Sequence, residues 1–269
     1  MGDETASYVY DLMRRVPPAK VENRLYDCIQ LCPDLTDTLL STIDTPLKVE
    51  TDTVANTEFI ACEFNRDLDS HRSPVSNQYF PPLPDGQALP PRLREMEKKA
   101  NNAFNAYRHL YFQGGICSVY LWEIDENVFG FGVFIKNPVD TQLRDGSRFK
   151  GCIDCTDTIE VDETTPGRAK YSLTSSVILN AELDIGLSAP LNISGSTADR
   201  KEKEAPYRSD DDHIINIGQF VEKNSANFRD KIQSIYIGKM KQILNIIARK
   251  NGQSIQDMMA QAFKARQAK

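Results

Sequence analysis

The sequence predicts an α+β fold: an N-terminal helical stalk, an irregular proline-rich module, a five-stranded antiparallel sheet covered by a long helix, and a C-terminal amphipathic helix. Three observations support this prediction. Apolar residues recur at helical spacing in residues 1–45, 92–112 and 211–250, which indicates helices with one buried face. Residues 116–195 instead carry five segments rich in β-branched and aromatic residues, separated by turns. No helix is predicted between these strands, so they form an antiparallel sheet.

Composition limits the class of protein. The chain has 269 residues, 40% of them hydrophobic, which is enough to bury a core. The formal net charge of −6 argues against nucleic acid as the main partner, because phosphate binding needs a basic surface. No apolar run approaches the ~20 residues that span a bilayer, and the first residues lack the apolar core of a signal peptide. We therefore expect a cytoplasmic protein whose six cysteines are reduced thiols.

Residues 1–45 predict a stalk of three short helices separated by prolines. The first runs through Leu12 and Met13 to Pro17. The second carries an apolar face made of Val21, Leu25, Cys28, Ile29 and Cys32. The third follows Pro33 and carries Leu35, Leu39 and Leu40. Each set lies on one face of its helix, so we expect the helices to pack against one another antiparallel.

Residues 46–91 form the second region, where proline and turn-forming residues dominate, as in NRDLDSHRSPVSNQYFPPLPDG. Only residues 58–64 have the composition of a strand. Four larger apolar side chains provide anchors: Phe64, Tyr79, Phe80 and Leu83. We expect an ordered but irregular module.

Residues 92–250 form the third region, the body. A helix is predicted from Pro90-Pro91 to Gly114-Gly115, with an apolar stripe of Leu93, Met96, Ala100, Ala103, Phe104, Tyr107, Leu110 and Tyr111. The five strands are predicted at residues 116–124, 128–135, 149–161, 169–183 and 186–195. Without crossover helices they form a meander with two open edges.

The charged run ADRKEKEAPYRSDDD at 198–212 lacks apolar residues and is predicted to be a solvated loop. A long helix follows, from about residue 211 to 250. Its buried side is predicted to consist of Ile214, Ile217, Val221, Phe228, Ile232, Ile235, Tyr236, Ile243, Ile246 and Ile247. Such a helix can lie across the whole sheet.

Motifs for catalysis or metal binding are weak. Cys152 and Cys155 form a C-x-x-C pair inside a predicted strand, without a second pair of ligands or the strand-to-helix turn of a thioredoxin site. His71, His109 and His213 are far apart and belong to no nucleophile or phosphate-loop motif. We expect no enzyme activity, no metal site and no cofactor.

Two further patterns have structural explanations. The FGFG segment at 129–132 lies inside a strand, where glycine marks a bulge or a close backbone approach rather than a phosphate loop. The three aspartates at 210–212 stand where a helix begins, and the helix dipole favours acidic residues there.

Residues 251–269 carry the stronger functional pattern. Asn251-Gly252 ends the long helix, and Ser254 with Asp257 forms a capping box that begins a new one. The new helix has an apolar stripe of Ile255, Met258, Met259, Ala262 and Phe263, with Lys264 on the opposite face. From residue 249 onward there are five basic side chains and one acidic. This stripe either folds back on the protein's own core or binds a hydrophobic groove on an acidic partner.

Several segments in the same order resemble one family, the beta subunit of the heterodimeric F-actin capping protein. The resemblance rests on LMRRVPP, NRDLDSHRSPVSNQYFPPLPDG, ANNAFNAYRHLYFQGG, SVYLWEID, YSLTSSVIL, NISGS, HIINIGQFVE and IYIGKMKQIL, and covers nearly the whole chain. The chain departs from the family pattern at Val75, where tryptophan is common. It also departs in the tail, where the family usually has leucine and this chain has Met258, Met259 and Phe263.

The resemblance implies that alpha and beta subunits of similar fold pair about a pseudo-twofold axis and join their sheets. It also implies that the obligate heterodimer binds the barbed end of actin filaments in the cytoplasm and cytoskeleton, blocking subunit addition and loss without catalysis or calcium. An exposed sheet edge fits this implication, because such an edge needs a partner or protection.

The resemblance also implies site residues. In the family the C-terminal helix inserts into the hydrophobic cleft of actin, and the corresponding residues here are Ile255, Met258, Met259, Ala262, Phe263, Lys264 and Arg266. Arg229 matches a basic residue that contacts actin and a sequestering inhibitor. Three residues are candidates for binding peptides with the capping-protein-interaction motif: Arg15, Glu63 and Tyr79. Phosphoinositides, which inhibit the family, are possible ligands of the basic tail.

A second interpretation is a scaffold or adaptor subunit of a larger complex that docks through the same C-terminal helix. The two interpretations differ in the partner's groove, which is actin in the first and another protein in the second. The chain's own residues do not choose between them, since both use the same apolar stripe.

Overall fold

The computed structural model of the protein describes residues 18–36, 45–112, 114–142, 148–184 and 191–232, together with Val16, Leu39, Ser234 and Gln242. The chain divides into two compact units, Met1–Glu222 and Lys223–Lys269. The contacts reported below lie within the first unit. The predicted α+β class is confirmed, whereas the predicted C-terminal helix lies outside the described residues.

The stalk is described through its second helix, α1 (Pro18–Leu31), and a short 3-10 helix at Pro33–Leu35. Val21 and Leu25 are buried against Leu39, with Val16, Cys28, Ile29 and Leu35 packed around them. This confirms the predicted apolar face of the second helix. On the two flanks of that face, Tyr26 and Leu31 are exposed, at 63% and 82% of their surface. The first predicted helix, with Leu12 and Met13, lies outside the described residues.

The proline-rich module is more regular than predicted. A hairpin of β1 (Lys48–Asp52) and β2 (Thr57–Ala61) precedes a 3-10 helix at Glu63–Asn65. A second small sheet joins β3 (Arg66–Asp67), β4 (Ser70–Arg72) and β5 (Tyr79–Phe80). The strand predicted at 58–64 is confirmed in part as β2, whereas β1, β3, β4 and β5 were not predicted, because they lack alternating apolar residues.

Helix α2 (Pro91–Phe112) lies where it was predicted. Leu93, Met96, Ala100 and Phe104 are buried, which confirms the first three turns of the stripe. The predicted burial of the end of the stripe was wrong. Leu110 and Tyr111 are 77% and 41% exposed, and Ala103 is also exposed. Helical spacing identifies a face of the helix but not where the packing partner ends.

The five-stranded sheet is a simple antiparallel meander, in the order β10-β9-β8-β7-β6. Its strands are β6 (Ile116–Asp125), β7 (Val128–Gln142), β8 (Arg148–Asp162), β9 (Arg168–Asp184) and β10 (Leu191–Pro206). All five predicted strands are present. Phe104 of α2 lies 6.1 Å from Phe131 between ring centroids, so α2 covers the sheet face that carries the odd-numbered β7 residues.

Strand β10 corrects the prediction of a loop at 198–212. The strand continues to Pro206 and pairs with β9 along its whole length. Oppositely charged side chains hold the pair, since Lys170 lies 2.9 Å from Glu202 and Arg168 lies 3.5 Å from Glu204. Cross-strand ion pairs replaced the apolar alternation on which the prediction depended.

Helix α3 (Asp210–Ile232) begins within one residue of the predicted start. Ile217, Val221 and Phe228 are buried as predicted, and Ile214 is half-buried. The predicted apolar residues from 235 to 247 lie outside the described residues. No helix in the described part of the chain is long and apolar enough to cross a membrane.

Candidate functional site

The predicted site residues fall into three groups. Arg15 and the tail residues Ile255, Met258, Met259, Ala262, Phe263, Lys264 and Arg266 lie outside the described residues. Arg229 lies in the described part of α3, but its side chain does not belong to the described set. Glu63 and Tyr79 are fully described, and both belong to the proline-rich module.

Glu63 opens the 3-10 helix that connects β2 to β3 and presents its carboxylate to solvent, with the side chain 76% exposed. Its only close charged neighbour among the described residues is Arg66, 3.1 Å away. The next residue, Phe64, is 42% exposed but packs against Trp122 of β6 with ring centroids 4.6 Å apart. Phe64 therefore holds the helix on the sheet while Glu63 stays available.

Tyr79 is half-buried and held by the loop that follows it. Its hydroxyl donates to the Gln87 carbonyl oxygen at 3.0 Å, and the Gln87 amide donates to Asp67 at 3.0 Å. Gly86 lies against the ring so closely that a Cβ atom there would overlap it. Burial raises the pKa of Tyr79, and the charge of Arg72 partly opposes that shift. The hydroxyl is therefore already engaged within the module.

A buried ion-pair network beneath this module was missed by the sequence analysis. Arg72 of β4 donates two hydrogen bonds, 2.7 and 2.8 Å, to the carboxylate of Glu97 in α2. Glu97 is fully buried and also accepts from Arg94 and from the Leu121 amide of β6. Three elements, β4, α2 and β6, thus meet at one carboxylate. Burial acts to lower the pKa of Arg72, but the Glu97 carboxylate raises it, and the pKa of Arg72 lies above its ordinary value.

The network had one detectable indication in the sequence. Glu97 lies between Leu93 and Ala100 on the same face of the predicted helix, so it interrupts an apolar stripe. A charged residue in such a place must be paired when it is buried. No pattern in the sequence identified Arg72 as the partner, since 25 residues separate the two.

Asp52 organises the loops on the same module. Its carboxylate accepts hydrogen bonds from the amides of Val54, Ala55 and Ser76 and from the Ser73 hydroxyl. Burial acts to raise the pKa of Asp52, but these hydrogen bonds lower it to about 2. Asp52 thereby joins the turn after β1 to the turn that contains Val75. Val75 is the residue where this chain departs from the family pattern.

The cysteines carry no disulfide, since all six are free thiols. Cys152 donates to the Asp154 carboxylate at 3.0 Å, and Lys136 lies 3.1 Å from the same oxygen. Burial and the Asp154 charge raise the pKa of Cys152 to about 11, which disfavours the reactive thiolate. The geometry therefore favours a structural explanation for the C-x-x-C pair.

One cluster of possible metal ligands occurs among the described residues: Glu163, Asp210 and His213, with ligand atoms within 4.8 Å of one another. Arg92 already lies among them. Its guanidinium is 2.7 Å from Glu163 and 2.6 Å from Asp210, so a cationic side chain neutralises both carboxylates. A metal ion would have to displace Arg92.

The two edge strands of the sheet, β6 and β10, differ in how they are covered. The β6 edge is approached by the module, where Ile60 and Tyr120 share a hydrogen bond of 2.6 Å. At the other edge, no strand of the described residues pairs with the outer side of β10. This edge is therefore unpaired among the described strands, and an unpaired strand edge is a place where another strand can add.

These features define a class first: an α+β subunit with a meander sheet faced by helices on one side and open at one strand edge. The F-actin capping protein beta subunit model matches residues 6–244. The chain therefore belongs to the F-actin capping protein beta subunit family, which confirms the resemblance.

Relatives support the assignment over nearly the whole length. The F-actin-capping protein subunit beta of Drosophila melanogaster is 42% identical over 264 residues, covering 97% of this chain and 93% of the relative. The Dictyostelium discoideum protein of the same name is 40% identical, covering 94% and 93%. That of Caenorhabditis elegans is 40% identical, covering 91% and 89%.

A solved structure is similar in fold. The homodimeric actin capping protein alpha subunit from Plasmodium berghei has a TM-score of 0.50 and 11% identity, covering 93% of this chain and 97% of that one. At this identity the likeness concerns the fold alone.

Proposed function

We propose that the chain is the beta subunit of a heterodimeric capping protein that binds the barbed end of actin filaments and blocks subunit addition and loss. It acts by binding alone, without catalysis, cofactor, metal or calcium, in the cytoplasm and its actin cytoskeleton. The family match over residues 6–244 carries this proposal. Relatives of the same name that span more than 90% of the chain support it.

The partner is a capping protein alpha subunit. Support comes from the free edge of β10, where a strand from a second subunit can continue the sheet by backbone hydrogen bonds. A second contact is offered by the exposed side chains of Tyr26 and Leu31 on α1. Two separate surfaces fit an obligate pair better than a transient encounter, because both would otherwise remain open to water.

The actin contact is the C-terminal tail. Its stripe of Ile255, Met258, Met259, Ala262 and Phe263 suits a hydrophobic groove, and Lys264 and Arg266 suit an acidic rim. Arg229 adds a basic contact for actin or for a sequestering inhibitor. The adaptor interpretation is not favoured, since the relatives are F-actin-capping proteins by name.

Regulators are proposed to bind at two further places. Arg15, Glu63 and Tyr79 are the proposed contacts of capping-protein-interaction-motif peptides, and the basic tail is the proposed contact of phosphoinositides. The exposed carboxylate of Glu63 and the packed ring of Tyr79 support the first contact. A basic peptide would pair with the former and stack on the latter.

The peptide contact has a direct test. Binding of a labelled motif peptide is measured by fluorescence anisotropy with the wild-type dimer and with Glu63→Lys. We expect Glu63→Lys to weaken binding by roughly tenfold, the effect of about 1.4 kcal/mol. Glu58→Lys, another exposed glutamate of the module, is the control and should bind normally. Equal binding by all three proteins would contradict the proposed contact.

Capping itself is tested by co-expression. The chain is produced with and without an alpha subunit, and barbed-end growth is followed from spectrin–actin seeds. We expect a soluble heterodimer that stops growth at substoichiometric amounts, and little capping from the chain alone. A stable heterodimer without effect on growth would favour the adaptor interpretation instead.

A further inference from the structure

His213 lies in the first turn of α3 and is buried among aromatic side chains. Its side chain has no exposed surface. Three aromatic rings surround it, with centroids 4.4 Å away for Tyr207, 5.6 Å for Phe129 and 5.9 Å for Tyr171. These rings come from β7, β9 and the segment between β10 and α3. The imidazole therefore joins the helix to two strands of the sheet.

Each ring nitrogen of His213 faces one oxygen. Nδ1 lies 2.8 Å from the Tyr171 hydroxyl, and Nε2 lies 2.8 Å from the Glu163 carboxylate without the geometry of a hydrogen bond. Asn216 donates to the Tyr171 oxygen at 3.1 Å. We assign the neutral tautomer in which Nδ1 accepts from the Tyr171 hydroxyl and Nε2 carries the hydrogen, close to Glu163.

Protonation of this ring is unfavourable for two reasons. With both nitrogens as donors, the Tyr171 hydroxyl loses its acceptor, while its oxygen already accepts from Asn216. In addition, Glu163 is already bound on both oxygens by Arg92, at 2.7 and 2.9 Å. The imidazolium would share one carboxylate with a guanidinium, while its own ring stays shielded from solvent.

Among the described residues, three charged groups surround the His213 ring. Arg92 comes from α2, Glu163 from the segment after β8, and Asp210 from the first turn of α3. Burial lowers the pKa of His213, the Glu163 carboxylate raises it in part, and Arg92 lowers it further. The ring is therefore neutral at pH 7, and the attraction of the carboxylates does not overcome burial.

We propose that His213 is a pH-sensitive latch: when mild acid protonates its ring, the first turns of α3 detach from the sheet. The device is independent of actin and goes beyond the capping function. Above the ordinary histidine pKa of about 6.5 the ring is neutral in every state, and the latch holds. Below that pH the open form binds a proton that the closed form excludes, so opening is increasingly favoured.

Hydrogen exchange measures this opening directly. Amide exchange of peptides covering residues 207–221 is followed by mass spectrometry on the full-length protein at pH 7.5 and 5.5, corrected for intrinsic exchange. A single excluded proton raises the opening constant by at most about tenfold per pH unit below about 6.5. We expect a several-fold loss of protection in the wild type at pH 5.5.

Two variants make the test specific. His213→Gln removes the titrating group and should show equal protection at both pH values. His109→Gln, at an exposed histidine, should behave as the wild type. Asp157, whose pKa burial raises to about 7, also titrates in this range but remains in every variant. Full protection of the wild type at pH 5.5, or an equal loss in His213→Gln, would overturn the latch.

A wild-type measurement covers the case in which His213→Gln does not fold. The chain has three histidines, so ¹³C-labelled imidazole signals can be assigned by the His109→Gln and His71→Gln variants. The latch requires that the His213 signal titrates together with the loss of protection. A His213 signal that titrates without opening, or stays neutral to pH 5, would contradict it. Neither result depends on whether the protein caps actin.

Discussion

Individual buried polar residues decide how the module and the body are joined. Glu97 has no exposed surface and Arg72 is 4% exposed, yet each is fully paired with the other. Such a pair adds little net stability compared with apolar residues, because desolvation of both charges offsets their attraction. Loss of one partner is different, since it leaves the other charge buried and alone.

Glu97→Gln should therefore destabilise the protein strongly. The amide keeps the shape of the side chain but leaves the Arg72 charge uncompensated, which costs about 3 to 5 kcal/mol. Glu95→Gln is the matched control in the same helix, since Glu95 pairs with Lys98 in solvent and should change stability little. Urea unfolding followed by circular dichroism measures both. Similar midpoints for the two variants would contradict the role of Glu97.

Among the secondary-structure elements, the predictable ones were those that pack by apolar periodicity. The five strands, α2 and the start of α3 were recognised because one face of each is buried against another element. Among the strands of the module only β2 was predicted, and the second half of β10 was missed. Asp52, Asn65 and the Lys170–Glu202 pair hold them, and polar side chains give no periodic pattern.

The site was predictable to a different extent. Residue types and order assigned Glu63 and Tyr79 through the family resemblance, and the structure describes both on one module. The arrangement of Arg72 with Glu97 could not be predicted, because it depends on how β4 and α2 meet in space. The tail assignment remains a prediction.

Glycines in two elements should respond oppositely to alanine. Gly130 in β7 lies under the Trp122 indole, where a Cβ would overlap, so Gly130→Ala should cost about 1 to 3 kcal/mol. Gly218 in α3 has no atom within 4 Å of an added Cβ. Gly218→Ala should stabilise by about 0.5 to 1 kcal/mol, since alanine loses less entropy in a helix. Thermal unfolding tests both, and a shift of the same sign for both would contradict these environments.

The whole molecule separates its surfaces by role. We propose that the partner subunit binds the β10 edge and the exposed Tyr26 and Leu31 of α1. Regulatory peptides are proposed to bind the proline-rich module. The tail, residues 251–269, is assigned to actin. Because these surfaces belong to different parts of the chain, removal of the tail should leave folding and dimer formation intact.

Dissociation of the capped filament tests the central claim most directly. Single-filament imaging measures how long growth stops after the heterodimer binds, with the full-length chain and with residues 252–269 deleted. We expect the truncated dimer to fold and to bind ends at a similar rate, but to leave at least a hundredfold faster, equivalent to about 2.7 kcal/mol. Met258→Asp or Phe263→Asp should reproduce much of that loss, and reversal of Lys264 and Arg266 less. An unchanged pause length in the truncated dimer would contradict the account.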